Sequence, residues 1–305
     1  MVKKREYEHL PLRHSEHLET LSQQKTKSKI ILIKIATIDL YNNERNEGIR
    51  CLKEIVHDAK NNFSELDISH EVFETRYKGE IPEFDTDIFL SSGAPGSPFE
   101  GEGTQWEKDY FGLIDKIWNH NQKHPERKKY VFFICHSFQM MARFFEFGTV
   151  NKRHSKSFGV MPFTKTRHGK DDPVLKELSN PFYAADIRQY QVVEENKKVI
   201  KELGAKILSY EIIDDDQEAQ PSIASIRISD EIVGTQFHPE ADPESMLYHF
   251  KQDERKKQVV EKYGEKRYHE MIKLLQQSDT IKLTRKTVIP SFLNSAIEQL
   301  SSVLT

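Results

Sequence analysis

The stretch Tyr130-Val-Phe-Phe-Ile-Cys-His-Ser-Phe-Gln139 decides the fold, because it joins an apolar run directly to a segment of helical character. The run over residues 130–134 predicts a strand that is buried on both faces. A helical pattern begins at His136, with no loop residues between the two elements. A sharp turn of this kind lifts one side chain out of the sheet edge, beside free helix N–H groups that favour a thiolate. Cys135 stands at that turn, whereas Cys51 lies inside a predicted helix and is interpreted as packing.

Strand and helix patterns alternate on both sides of this turn. Such alternation predicts an α/β fold, with a mostly parallel, flavodoxin-like sheet flanked by helices. We expect a polar N-terminal arm over residues 1–28, one domain over 29–250, and a helical C-terminal extension over 251–305 packed on that domain. The remaining predicted strands are Ile30–Ala36, Glu71–Tyr77, Asp87–Ser91, Lys206–Ile213, Ser222–Ile228 and Glu231–Phe237; the remaining predicted helices are 46–61, 104–121, 246–263, 265–277 and 290–303.

Composition narrows the class of protein. The 45 basic and 48 acidic residues leave a net charge of −3, which gives no electrostatic reason to expect nucleic acid or an anionic membrane as partner. Two cysteines do not make a disulfide scaffold, and they suit a reducing compartment. No apolar run approaches the ~20 residues that span a bilayer. We therefore expect a cytoplasmic protein, and the 13 scattered histidines predict no metal site.

The segment Gly234-Thr-Gln-Phe-His-Pro-Glu240 follows a short β-branched strand. In an extended chain, residues two apart face the same way, so Glu240 can reach one nitrogen of the His238 ring while the other nitrogen faces outward. A general base oriented by a carboxylate beside a thiol needs this arrangement. A surface histidine near an acid is the alternative interpretation.

Acyl transfer at a thiol also requires donors for the negative oxygen that develops. The turn over residues 92–97 ends a predicted strand and is rich in glycine and proline. Its main-chain N–H groups at Gly93 and Ala94, together with that of His136, are the candidate donors. An ordinary turn between a strand and a helix would have the same composition.

Together the three segments resemble the class I glutamine amidotransferases, typified by the glutaminase domain of GMP synthetase. The family's Ser-Gly-Gly-Pro turn is matched by Ser92-Gly-Ala-Pro95, and its Gly-x-Cys-x-Gly-x-Gln elbow by residues 133–139. Its Gly-x-Gln-Phe-His-Pro-Glu motif is matched at every defined position by residues 234–240. The order along the chain also agrees, and the resemblance covers about residues 30 to 250.

The resemblance implies roles for the matched residues. Cys135 would attack the side-chain amide of glutamine, His238 would protonate the departing ammonia, and Glu240 would orient His238. Gln139 would help to hold the small-molecule substrate. A γ-glutamyl thioester would form and then be hydrolysed, and the half-reaction implies no metal or organic cofactor.

Three departures from the family pattern bear on the substrate. Phe133 and Ser137 replace the two elbow glycines, so the neighbourhood of the elbow must be repacked. In the segment over residues 186–192, where the family usually has a histidine that grips substrate, Arg188 and Tyr190 are the candidate contacts. The basic cluster at residues 152–156 is interpreted as a solvated loop that could border the pocket.

Three functions remain open on the sequence alone. The first is a glutaminase that supplies ammonia to a separate acceptor enzyme, since no Gly-x-x-x-x-Gly-Lys-Ser/Thr loop accompanies the motifs. The second is a hydrolase of the same fold that acts on γ-glutamyl amides or peptides. The third is a degenerate, non-catalytic binding module.

Overall fold

The computed structural model describes residues 32–44, 46–213, 221–277 and 279–304. The predicted arm over residues 1–28 lies outside this part of the chain. Within it, nine strands form one sheet. The strands are β1 (Leu32–Ile38), β2 (Asp67–Phe73), β3 (Ile88–Ser91), β4 (Tyr130–Ile134), β5 (Thr149–Lys165), β6 (Phe182–Val193), β7 (Lys206–Glu211), β8 (Ile223–Ser229) and β9 (Ile232–Thr235).

The strands follow the order β2-β1-β3-β4-β9-β8-β7-β5-β6 across the sheet. The first five strands are parallel to one another, and every pairing from β9 to β6 is antiparallel. The α/β fold with a sheet flanked by helices is confirmed, and the sheet is mixed. Its antiparallel half includes a long hairpin, β5–β6, that the sequence did not predict.

Helices cover both faces of the sheet. They are α1 (Gly48–Asn62), α2 (Thr75–Lys78), α3 (Gln105–Lys123), α4 (His136–Phe145), α5 (Arg167–Asp171), α6 (Lys197–Leu203), α7 (Pro243–Phe250), α8 (Asp253–Gln277) and α9 (Asp279–Leu304). Side chains of α1 and α9 share one core with Ile33 and Ile35 of β1. Those of α3 and α4 share a second core with Ala36 and Ile38. Alternate residues of β1 thus enter opposite cores, which explains why its sequence is apolar without a polar face.

The C-terminal helices extend the fold over the β5–β6 hairpin. A third core joins Val160 of β5 and Ala185 of β6 to apolar side chains of α7, α8 and the start of α9, among them Phe250 and Met271. In the described part of the chain, no helix is long and apolar enough to cross a membrane. The hairpin and these helices border the same end of the sheet as Cys135.

Several local predictions were wrong. The strand predicted over Glu71–Tyr77 ends at Phe73, and residues 75–78 form α2. The cluster at residues 152–156 was predicted to be a loop, but it lies within β5, at an irregularity in the pairing with β6. Its side chains are mostly exposed, so its polar composition resembles that of a loop. The helix expected to begin at Pro290 begins earlier, and α9 continues through that proline.

Candidate active site

Cys135 occupies the turn between β4 and α4. Its backbone has φ 49° and ψ −97°, a strained conformation for a residue with a side chain. The turn is fixed because the Cys135 N–H donates to the Thr235 carbonyl at 2.8 Å and the Cys135 carbonyl accepts from the Gln139 N–H at 3.0 Å. The thiol is 3.6 Å from the carbonyl oxygen of Ile187 in β6. Strain that the surroundings maintain in this way is typical of a functional residue.

His238 and Glu240 lie in the loop after β9, beside Cys135. The His238 N–H donates to the Ala185 carbonyl at 2.8 Å, which ties this loop to β6. The Nδ1 and Glu240 Oε1 atoms are 2.8 Å apart, and since a carboxylate only accepts hydrogen bonds, Nδ1 carries the proton. The imidazole and the Cys135 thiol lie side by side and line the same cavity. Thiol, imidazole and carboxylate are therefore neighbours in that order.

The electrostatics of His238 favour its charged form. Burial lowers the pKa of His238, but the charges of Glu240 and Cys135 outweigh burial and raise the pKa well above its ordinary value. The surroundings of the ring thus favour its protonated form. A protonated imidazole next to a sulfur stabilises a thiolate, which is the reactive form of cysteine.

Gly93 packs directly against both groups. A Cβ atom at this position would lie 2.8 Å from Cε1 of His238 and 3.5 Å from Cβ of Cys135, so only glycine fits without displacing the imidazole. Among the described residues, the structure records no acceptor for the N–H groups of Gly93, Ala94 or His136. These are the three groups that the sequence analysis selected as donors to a developing oxyanion.

A cavity of about 390 Å³ opens beside the thiol. Ala94, Cys135, Gln139, Tyr190 and His238 all line it. The Gln139 side chain donates from Nε2 to the Tyr190 carbonyl at 3.1 Å and to Gln236 Oε1 at 3.2 Å. The predicted contacts at Gln139 and Tyr190 are thus next to each other. No group of His, Cys, Asp and Glu residues in the described part of the chain is arranged to hold a metal ion.

The Arg188 side chain has a different place from the one that the sequence suggested. Its Nε lies 2.9 Å from Asp186 Oδ2, and its Nη2 lies 2.7 Å from Glu211 Oε2, with the Arg188 and Asp186 side chains fully buried. Both terminal nitrogens also donate to Ser222 Oγ at 3.2 Å. Arg153 reaches Glu211 from the other side at 2.8 Å. We therefore assign the Arg188 guanidinium to the support of β6, and only the rest of the residue to the cavity wall.

The model of class-I glutamine amidotransferases matches residues 49–255, which is more than half of the chain. The chain belongs to the class-I glutamine amidotransferase family. Its fold is similar to that of a glutamine amidotransferase from Thermotoga maritima, with a TM-score of 0.57 and 15% identity, over 87% of this chain and 98% of the other. The fold is also similar to that of the glutaminase domain of CTPS from Trypanosoma brucei, a structure with bound acivicin. The TM-score is 0.51 and the identity 11%, over 88% of this chain and 94% of the other. A search among curated protein sequences finds no match.

Two departures from the amidotransferase elbow are accommodated locally. Phe133 pairs in register with Gly234 of β9. A Cβ atom on Gly234 would lie 3.3 Å from Cβ of Phe133 and 2.8 Å from the Phe138 ring, so the absent side chain provides room for these aromatic residues. Ser137 Oγ accepts from the Ile134 N–H at 2.8 Å and donates to the Ser91 carbonyl at 2.8 Å. The hydroxyl thus adds a link between α4 and the sheet.

The sequence analysis missed several residues of the amidotransferase cavity. Tyr41 lines it after the end of β1, and burial, followed by the charges of Glu240 and Cys135, raises its pKa well above the ordinary value. The position was available from the sequence, because sites in such sheets lie at the carboxyl ends of parallel strands. Cys51 was interpreted as packing; it is buried and also borders the cavity. Arg285 of α9 contacts the Glu240 carbonyl, and no sequence motif indicated it.

Proposed function

We propose that the protein is a cysteine-dependent glutaminase that hydrolyses a γ-glutamyl amide. The observation that carries the proposal is the strained Cys135 turn, which places the thiol beside the hydrogen-bonded His238–Glu240 pair. The Cys135 sulfur would attack the amide carbon, and His238 would protonate the departing amine. Water would then hydrolyse the thioester, with His238 as the base, and release glutamate. With glutamine as substrate, the amine is ammonia.

The surrounding groups have separate roles in this proposal. The N–H groups of Gly93, Ala94 and His136 stabilise the oxyanion, and their lack of recorded protein acceptors supports that role. Gln139 and Tyr190 hold the glutamyl group, since both line the cavity beside the thiol. Each donor of an oxyanion hole contributes ~10²–10³ in rate in enzymes where it has been removed.

We propose, in addition, that ammonia released from glutamine passes to a separate acceptor enzyme, as glutamine amidotransferases act through an acceptor reaction. The two cysteines are unpaired in the structure, and this supports a cytoplasmic location. Residues 251–305 are proposed to form an extension of the same domain, because α9 shares a core with α1.

An electrophilic glutamine analogue tests the proposal. The analogue should modify Cys135 once per chain, and modification should abolish the release of ammonia from glutamine. The Cys135→Ala variant should neither be modified nor release ammonia. Cys51→Ala is the matched control, and modification should persist there, since Cys51 is the chain's only other thiol.

Two outcomes would contradict the proposal. Hydrolysis that survives Cys135→Ala would exclude the thioester. A thiol that stays unreactive at neutral pH in the folded protein would favour the degenerate binding module.

A further inference from the structure

The cavity continues past the reaction centre to a wall made by later parts of the chain. Lys156 and Phe158 of β5, Phe250 of α7 and Arg255 of α8 line this wall. A cavity within the ~300–1,000 Å³ range accommodates ligands of drug size, and glutamine is smaller than such ligands. We call these four residues the distal wall. The space beside them is therefore available to a further part of the substrate.

The two cations of the distal wall have no recorded carboxylate partner in the described part of the chain. Arg255 donates to Gln258 at 3.1 Å, and its guanidinium carbon lies 5.6 Å from the centre of the Phe158 ring. Burial, and then the charge of Arg255, lowers the pKa of Lys156. Two like charges thus lie close together at one edge of the cavity, an arrangement that an anion would stabilise.

Most other charged groups that line the cavity already have partners. Glu240 pairs with its neighbouring histidine, and Asp242 and Glu47 both pair with Arg50. Glu44, from the loop after β1, lines the cavity, and among the described residues it has no ion pair and no contact with the distal wall. The cations of the distal wall are thus available to a ligand.

The distal wall also offers an apolar surface. The rings of Phe158 and Phe250 are stacked, with centroids 5.0 Å apart and planes 22° from parallel. Stacked rings in a wall that also carries two cations suit a ligand that has a flat or aliphatic body and an acidic end.

The position of the distal wall indicates which part of the substrate it meets. Helices α7 and α8 follow His238 and Glu240 directly in the chain, and the His238 N–H is tied to β6 next to β5. His238 must face the leaving nitrogen, because it supplies the proton to that atom. The substituent on the leaving nitrogen is therefore the part directed toward α7 and the distal wall.

We propose that the preferred substrate is a γ-glutamyl amide whose leaving amine bears an anionic group, held by Lys156 and Arg255 over the Phe158–Phe250 pair. This inference rests on the proposed function and names its substrate class. The bond from Cys135 sulfur to the γ-carbonyl carbon forms as the carbon–nitrogen bond breaks. The proton of His238 passes to the amine, which leaves with its anionic group, and water releases glutamate.

A pair of anilides that differ only in charge tests the proposal. The γ-glutamyl derivatives of 3-aminobenzoate and 3-aminobenzamide release anilines that are followed by absorbance. We expect kcat/KM to be roughly tenfold higher for the anionic compound, equivalent to about 1.4 kcal/mol. The double variant Lys156→Gln/Arg255→Gln should bring this ratio close to one. Lys152→Gln/Lys257→Gln is the matched control on the same two elements, with exposed lysines outside the cavity, and it should keep the preference.

Three results would overturn the proposal: equal kcat/KM values in the wild-type protein, a preference that the double variant retains, or a preference that the control loses equally. Glutaminylglycine, whose extra carboxylate lies on the α side, tests the direction of the substituent. A charge preference confined to that compound would overturn the assignment to the leaving amine.

Calorimetry on the Cys135→Ala protein separates this inference from the proposed function. Tighter binding of the anionic anilide there supports the anion subsite even in the absence of turnover. Equal dissociation constants overturn the subsite and leave the catalytic proposal intact. If the wild-type protein turns over no substrate, glutamine included, the catalytic proposal alone is contradicted.

Discussion

Replacing Arg188 by methionine distinguishes a structural role from a substrate-binding one. Methionine keeps much of the length of the side chain and removes its charge and its donors. Asp186 and Arg188 are both fully buried and lie 2.9 Å apart, so the variant leaves the Asp186 carboxylate without its cation. Glu211 retains Arg153 at 2.8 Å and Ser222 at 2.7 Å, and it is therefore less affected.

The expected loss follows from the burial of the pair. Removing one partner of a buried ion pair costs about 3–5 kcal/mol, because the other charge stays in a medium of low polarity. We expect the free energy of unfolding to fall by that amount in Arg188→Met. With an m value of about 3 kcal/mol per M of urea, the unfolding midpoint should fall by about 1–1.7 M.

Urea unfolding at neutral pH, followed by fluorescence and circular dichroism, measures this change. Arg255→Met is the control variant from the cavity wall. Arg255 is partly exposed and has no carboxylate partner among the described residues, so the unfolding midpoint of this variant should change little. If Arg188→Met keeps the wild-type midpoint while KM for substrate rises, the guanidinium binds substrate, and the structural assignment is wrong.

Two further variants probe the elbow and the histidine. Ser137→Ala leaves the buried Ile134 N–H and the Ser91 carbonyl without their partner, so urea unfolding should show a loss of about 1–3 kcal/mol; an unchanged midpoint would contradict the link described for this hydroxyl. Glu240→Gln removes a charge that raises the pKa of His238, so an NMR titration of the imidazole should give a lower pKa than in the wild-type protein. A raised histidine pKa stabilises the fold below about pH 6.5, and this effect is lost as the pH rises through the raised value. The difference in the free energy of unfolding between wild-type and Glu240→Gln should therefore narrow at high pH. A difference that widens with pH would refute this reasoning.

The parallel half of the fold was accessible from the sequence, because its strands are buried on both faces. The predicted bounds of β4 and the predicted start of α4 agree with the structure, since an apolar run ends where a helical period begins. The β5–β6 hairpin gave no such signal. Its first half is largely exposed, and its pairing depends on contacts with α8 that no local pattern reports.

The placing of Cys135, His238 and Glu240 together was predicted more fully than the walls of the cavity. Cys135 and the His238–Glu240 pair fall within short motifs at strand ends, where local geometry determines the direction of each side chain. The direction of Arg188 depends on strand register, since neighbouring residues of a strand face opposite sides. The carbonyl of Ile187 lies near the thiol, whereas the next side chain enters the buried network. The distal wall combines β5 with α8, and only tertiary structure brings Lys156 and Arg255 together.

The departures from the family pattern affect two different parts of the site, the elbow at Cys135 and the wall of the cavity. At the elbow, the larger side chain of Phe133 lies beside Gly234, and the hydroxyl of Ser137 is satisfied by main-chain groups of neighbouring strands. Both changes are absorbed within the core, so they leave the geometry at Cys135 intact. The Arg188 guanidinium, in contrast, is buried in ion pairs with Asp186 and Glu211. If the leaving amine is anionic, as proposed, its positive partners are Lys156 and Arg255 of the distal wall, which have no carboxylate partner among the described residues. The family motif is kept at Cys135, His238 and Glu240, whereas the cavity wall departs from the family pattern. This combination favours a change in the leaving group of the substrate over a loss of catalysis.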